Sequence, residues 1–240
     1  MTELKLQFQV EVPELPIDMD KVMVSFLKAA VENYSVELFD RLYNKKESIT
    51  KKFCWSCYFP QAKFTSEVIR LGANKFTMNF SDCDIGELLM FYNAFSLMKY
   101  KTFHMNRNSM KLMSVKTKQL KEIKETEVII KMQSSLLARK HNSDDNTDIY
   151  YTCEDTEFPE IVKENLRIFL QKINLECDIN DFSVTPLKGK KIVARVWQRP
   201  TDASVGIYKL TGNPQLLEIL RTAGLGVRRG LGHGKFVIIY

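Results

Sequence analysis

What most restricts the fold of this chain is a change of hydrophobic period that occurs twice, in the same order. In LKLQFQVEV, Leu4, Leu6, Phe8, Val10 and Val12 alternate with polar residues, the period of a strand with one buried face. Pro13 and Pro16 end it. From Asp18, a capping residue type, Val22, Phe26, Leu27, Ala30, Val31, Tyr34, Leu38 and Leu42 recur at helical spacing and predict one long helix as far as about Tyr43. Short β-type runs follow in FCWSCYF, AKFTSEVIRL and NKFTMNF. A helix over IGELLMFYNAFSLM, capped by Asp82 or Asp84, leads through a basic stretch to the β-branched strand TEVIIKM. Strand, helix, strands, helix, strand is the split βαβ order of a ferredoxin-like domain.

The same order then returns. KHNSDDNTD is polar and reads as an exposed loop near a domain boundary, and IYYTC as the next strand. FPEIVKENLRIFLQKI is an amphipathic helix with Pro159 in its first turn. DFSVTPL and KKIVARVWQ flank a Lys-Gly pair expected to be a hairpin turn, and VGIYKLTG extends the sheet. Asn213 caps PQLLEILRTA, with Pro214 at the first helical position, and KFVIIY is the final strand. A length of 240 residues with 45% apolar side chains suits two compact domains. The expected fold class is therefore α+β, two tandem ferredoxin-like (βαββαβ, RRM-like) domains over residues 1–135 and 136–240. That architecture hosts many functions and identifies none.

Charge narrows the choice. The net charge is +6, and it is unevenly spread. Lys99 to Lys121 holds seven basic residues and no acidic one, His141 to Ile161 seven acidic and no basic one, and Lys188 to Lys235 ten basic against two acidic. A surface divided by sign is the footprint of a nucleic-acid binder, although solvated faces of opposite sign would look the same. No run approaches the roughly 18 apolar residues of a membrane span, and the N-terminus lacks the apolar block of a signal peptide, so a cytoplasmic protein without a membrane partner is expected. The five cysteines show no repeated spacing and are expected to be reduced. Cys54 and Cys57 have the spacing of a metal or redox pair, but a single CxxC is an incomplete zinc site and reads as buried thiols. Phe53, Trp55, Tyr58 and Phe59 read as core rather than as a stacking platform for bases.

The most specific motif is GLGVRRGLGHG, which packs five of the ten glycines into residues Gly224 to Gly234. A dinucleotide-binding loop would have to open a helix, whereas only KFVIIY follows; a Walker loop fails because Arg229 stands at its first glycine and Phe236 after its lysine. Glycine backbones can approach a phosphate and offer amide N–H groups to it, and Arg228 and Arg229 would add planar cations. A helix C-cap accounts for Gly224 alone. The loop is expected to touch a polymer backbone.

GLGVRRGLGHGKFVII, preceded by TGNPQLLEILRTAG, resembles the C-terminal signature of the CRISPR pre-crRNA-processing endoribonucleases, the sixth Cas family of the RAMP superfamily. LYNKKESITKKFCWSCYF and VIIKMQSSLLAR are similar to further tracts of that family. The resemblance implies two tandem ferredoxin-like domains. It also implies cutting of CRISPR repeat RNA without metal or other cofactor: the 2′-hydroxyl attacks the adjacent phosphate and leaves a 2′,3′-cyclic phosphate and a 5′-hydroxyl. Partners implied are the repeat RNA or crRNA product and other Cas effector subunits, the protein being a monomer or homodimer.

The chain departs from the family in lacking a histidine at the end of the first helix, where Tyr43 stands instead. The candidate catalytic residues are Tyr43, Lys51 and Lys52, with Lys45 and Lys46 as substitutes. The candidate RNA contacts are Lys45, Lys46, Arg107, Lys111, Lys190, Lys191, Arg195, Gly224, Gly226, Arg228, Arg229, Gly232, His233 and Gly234. His233 is a further catalytic candidate. A subunit that binds the repeat without cutting it is the alternative reading.

Overall fold

The computed structural model describes residues 1–43 and 49–240. The elements are β1 (Thr2–Val10), β2 (Glu14–Pro16), α1 (Met19–Tyr34), α2 (Val36–Tyr43), β3 (Phe53–Tyr58), β4 (Lys63–Phe64), β5 (Val68–Arg70), β6 (Lys75–Asp82), α3 (Ile85–Leu97), β7 (Thr102–Met105) and β8 (Asn108–Gln119). They continue as β9 (Glu127–Met132), β10 (Ala138–Asn142), β11 (Thr147–Tyr151), α4 (Phe158–Lys172), β12 (Ser183–Val196), β13 (Arg199–Thr211), α5 (Pro214–Ala223) and β14 (Phe236–Ile238). The chain divides into two compact units. An N-terminal unit holds residues 2–51 and 56–120, and a C-terminal unit holds residues 1, 52–55 and 121–240, so the division runs through β3 and falls upstream of residue 135.

The N-terminal sheet has the order β3-β6-β1-β8-β7. Counting β1, β3, β6 and β8 as first to fourth, the order is second, third, first, fourth, the arrangement of a ferredoxin-like sheet. Strand β1 lies between antiparallel β6 and β8, pairing Leu6 with Met78 on one side and with Val115 on the other. Its alternating residues Leu4, Leu6, Phe8 and Val10 are all buried, as their period predicts. Phe8 stacks on Phe76 at 4.8 Å and meets Phe26 of α1 edge-on at 5.1 Å, while Phe80 packs on Phe91 of α3 at 4.6 Å. Each buried phenyl contributes about 2–3 kcal/mol, so these rings hold both helices to the sheet.

The C-terminal sheet repeats the order with β12-β13-β9-β14, again second, third, first, fourth. Helices α4 and α5 are its connections. Asn213 accepts the Leu216 amide at 2.8 Å and caps α5, as Asp84 accepts the Glu87 amide at 3.1 Å and caps α3. The fold is thus the α+β, tandem ferredoxin-like one expected. No helix among the described residues is long and apolar enough to cross a membrane.

Four local expectations are corrected. TEVIIKM is β9, which pairs with β13 and β14 and is the first strand of the C-terminal sheet. The strand that completes the N-terminal sheet is β8, inside the basic stretch, where exposed Lys111 beside buried Met110 and Leu112 masks the strand. KHNSDDNTD is no loop: its ends form the hairpin β10–β11, with Arg139 opposite Tyr150 and His141 opposite Asp148. Lys188-Gly189 is not a turn but lies beside a bulge within β12, and the hairpin turns at Trp197-Gln198, both at positive φ (51° and 68°). Such a turn usually carries Asn or Gly, so Trp-Gln gave no signal.

The fourth correction bears on the site. The helix predicted to run to Tyr43 breaks at Ser35, whose backbone is extended (φ −157°, ψ 124°). Its amide donates to Val31 O at 2.9 Å and ends α1, while its hydroxyl oxygen accepts the Leu38 amide at 3.1 Å and starts α2. Serine competes for backbone partners in this way, and hydrophobic spacing does not register it.

Candidate functional site

Tyr43 is the last residue of α2, and Lys51 belongs to the same unit. The Lys51 ammonium stands 4.6 Å from the centroid of the Tyr43 ring, and the Lys28 ammonium, from α1, stands 5.3 Å from it. Both lie within cation–π reach of one ring. Burial pushes the Tyr43 phenol above its ordinary range, and the Glu87 carboxylate adds to the shift. Burial lowers Lys51 from 10.5 to about 8; Glu87 opposes that shift and Lys28 reinforces it. Tyr43 therefore keeps its proton, while Lys51 releases its own not far above neutrality.

Glu87 lies in the first turn of α3, buried, with a carboxylate oxygen 3.5 Å from Arg41. Burial and then the Glu87 charge push Asp82, at the end of β6, well above the usual carboxylate range. Asp82 Oδ2 and Glu87 Oε1 are buried acceptors that meet no donor. A proton retained by Asp82 and donated to Glu87 satisfies both oxygens and leaves the charge on Glu87, where Arg41 compensates it. Lys28, Arg41, Asp82 and Glu87 are site residues that sequence reasoning missed. They come from four separate elements, and no spacing connects them.

Lys52 is half-buried and falls in the other unit, and Lys45 and Lys46 lie outside the described residues. His104 is exposed on β7, and His141 is 2.8 Å from Asp148. Arg107, at positive φ, turns β7 into β8, and Lys111 follows on β8; both are exposed, as are Lys190, Lys191 and Arg195 on β12. Lys191 is paired with Asp202 at 2.8 Å.

The glycine loop has a packing reason. Gly224, Gly226, Gly232 and Gly234 have φ between 76° and 89°. A Cβ on Gly226 would lie 2.3 Å from Leu137 O, one on Gly232 2.6 Å from the Trp55 ring, and one on Gly234 2.0 Å from Leu225 O. Many amides of the loop already donate within the protein: Leu225 to Gly234 O, Val227 to Leu137 O, Gly232 to Arg229 O and Gly234 to Ser135 O. Trp55 Nε1 donates to Gly230 O at 3.1 Å, and the Cys54 thiol to Thr222 O at 3.5 Å. Cys54 and Trp55 therefore supply core against this loop, whereas Tyr58, expected in the core, is exposed. Arg229, 8% exposed, has its guanidinium 3.5 Å from the Phe169 ring centroid, and Arg228 stands 3.7 Å from Asp148, which also takes Arg139 and His141. His233 is buried 2.7 Å from Ser135 Oγ, and burial followed by the Arg228 charge lowers its pKa to about 4.

Residues 116–238, more than half of the chain, match the family CRISPR associated protein Cas6, C-terminal. The chain belongs to the Cas6 family. No curated protein matches it. Among solved structures it is similar to an RAMP protein described as binding different RNA substrates (15% identity, 100% of each chain, TM-score 0.86). It is similar to a Cas6-related protein from Pyrococcus furiosus (14% identity, 99% of this chain and 98% of that one, TM-score 0.86). A structure described as CRISPR associated protein Cas6 gives 17% identity over 100% and 99% of the two chains, with a TM-score of 0.77. These identities carry the fold alone, so the Cas6 assignment rests on the family match, and the match includes the whole glycine loop. The ring of Tyr43 with Lys28 and Lys51, at the end of α2, lies outside the residues matched to Cas6.

Proposed function

We propose that this protein is a metal-independent endoribonuclease that cuts CRISPR repeat RNA to guide RNA. The observation that carries the proposal is Lys51, a lysine lowered to about 8 and held against the ring of Tyr43 in a chain of the Cas6 family. Transfer of the phosphate to the 2′-oxygen needs a base at the 2′-hydroxyl, a donor at the leaving 5′-oxygen and positive charge at the phosphorane. Neutral Lys51 takes the 2′-hydroxyl proton on its Nζ lone pair. The 2′-oxygen bonds to phosphorus as the bond from phosphorus to the 5′-oxygen breaks. Tyr43, still protonated, donates its proton to the 5′-oxygen, since a departing alkoxide is more basic than a phenolate. The Lys51 ammonium then returns a proton to Tyr43, and the products are a 2′,3′-cyclic phosphate and a 5′-hydroxyl.

The basic residues Arg107, Lys111, Lys190, Lys191, Arg195 and Arg228, with Lys52, Lys45 and Lys46, provide the phosphate contacts in this reading. Gly224, Gly226, Gly232 and Gly234 hold the loop's shape, and buried Arg229 and His233 brace it. The partner is repeat RNA, with other Cas effector subunits as candidate partners for the product complex. Lys51→Ala is expected to lower cleavage at pH 8 by about 10²–10⁴-fold with repeat RNA still bound. Wild-type-like cleavage by that variant would remove Lys51 from the mechanism. A second reading, repeat binding without cutting, is favoured by the sequence, which holds no histidine between residues 30 and 60. Tight binding with no cyclic-phosphate product across pH 6–9 would select it.

A further inference from the structure

Lys28 is absent from every motif in the sequence, yet its ammonium shares the Tyr43 ring with that of Lys51. On an unbroken helix residues 28 and 43 would be about 22 Å apart along the axis, beyond what a lysine and a tyrosine side chain can span. The break at Ser35, which ends α1 and caps α2 with one side chain, is what brings them together. The result is a local excess of positive charge. Glu87, the carboxylate whose field reaches both Tyr43 and Lys51, is already bridged to Arg41. Two ammonium groups converging on one ring cost folding energy unless an anion occupies the space they face.

We propose that Lys28 is the second cation of the cleavage site: it contacts the scissile phosphate and sets a second positive charge beside Lys51 on the Tyr43 ring, and the helix break at Ser35 delivers it. The inference rests on the reading of the site as an RNA-cleaving one. The two lysines differ in setting, since Lys28 is exposed to water and Lys51 is half-buried. The exposed ammonium stabilises charge on the non-bridging phosphate oxygens, and the desolvated one serves as base. The charged groups acting on Lys51 are Glu87 from α3 and Lys28 from α1; Arg41 of α2 pairs with Glu87, the Asp82 carboxyl of β6 feels the Glu87 charge, and the Tyr43 ring of α2 faces the Lys51 ammonium.

The test compares wild type, Lys28→Gln and Lys28→Arg in two assays: single-turnover cleavage of repeat RNA from pH 6 to 9, and labelling of Lys51 by an amine-reactive reagent over the same range without RNA, read by mass spectrometry. Lys28→Gln is expected to slow cleavage at pH 7 about tenfold or more, to raise the pH midpoint of kcat/KM, and to raise the Lys51 labelling midpoint; Lys28→Arg restores all three. Unchanged cleavage and an unchanged labelling midpoint in Lys28→Gln would overturn the inference, as would loss of cleavage with no movement of either midpoint. If wild type cuts no RNA, the enzymatic reading fails by itself. The labelling assay then still decides: a midpoint raised in Lys28→Gln keeps the paired-lysine anion site, and an unmoved one ends it.

Discussion

A lysine with a pKa near 8 changes protonation within the range where RNA cleavage is assayed, so its role can be read from a pH profile. The base form of Lys51 grows tenfold per pH unit below about 8 and saturates above it. The account therefore predicts that log kcat/KM rises with unit slope from pH 6 and levels off near 8, a curve that single-turnover measurements trace directly. A profile that is flat or falling over that range contradicts the assignment. His233 makes a second prediction. Its folded pKa, about 4, lies below the 6.5 of an exposed histidine, so the unfolded chain binds the extra proton first as pH falls. The stability contributed by neutral His233 is present above pH 6.5 and is lost as pH falls towards 4, by up to about 3 kcal/mol. Urea unfolding of wild type and His233→Asn at pH 7 and pH 5 measures it, and the variant is expected to lose less stability between the two values.

At the scale of elements, Ser35 and the glycine loop do the positioning. Ser35→Ala removes the α2 cap and is expected to cost about 1 kcal/mol in chemical unfolding, with a larger loss of cleavage than of repeat binding because Lys28 and Tyr43 come apart. Gly226→Ala combines a φ of 76° with a Cβ 2.3 Å from Leu137 O and is expected to cost about 2 kcal/mol or more. Its thermal midpoint, compared with that of wild type, reads the loss. The elements that could be read from the sequence were those whose period matched one packed surface, as in β1 and α5. Those missed had competing local chemistry: a serine that caps in mid-run, a turn built from Trp-Gln, and a strand, β8, whose exposed lysines resemble a loop. The glycine loop was legible as a motif, but its glycines answer to Trp55, Leu137 and Leu225, contacts that exist only after folding. Of the candidate site, Tyr43 and Lys51 came from the resemblance to the family's tract around the end of the first predicted helix, whereas Lys28 and Glu87 depend on the helix break and on the approach of α3.

At the scale of the molecule, the chain is a Cas6-family protein of two ferredoxin-like units, each with basic side chains exposed on a strand or turn. If these lysines and arginines neutralise three or more phosphates, the logarithm of the repeat-RNA association constant should fall with the logarithm of salt concentration at a slope steeper than about −2. A shallower slope, from fluorescence anisotropy at several salt concentrations, would remove the basic footprint from the account. The central claim is cleavage by the RNA's own 2′-hydroxyl, with Lys51 as base, and one measurement tests it most directly. End-labelled repeat RNA is incubated with the protein in EDTA, beside the same RNA carrying a single 2′-deoxy substitution at each candidate position. The account predicts one discrete cut, a cyclic-phosphate end, and loss of that cut with one substitution only. Cleavage that survives every substitution, or that EDTA abolishes, would contradict it.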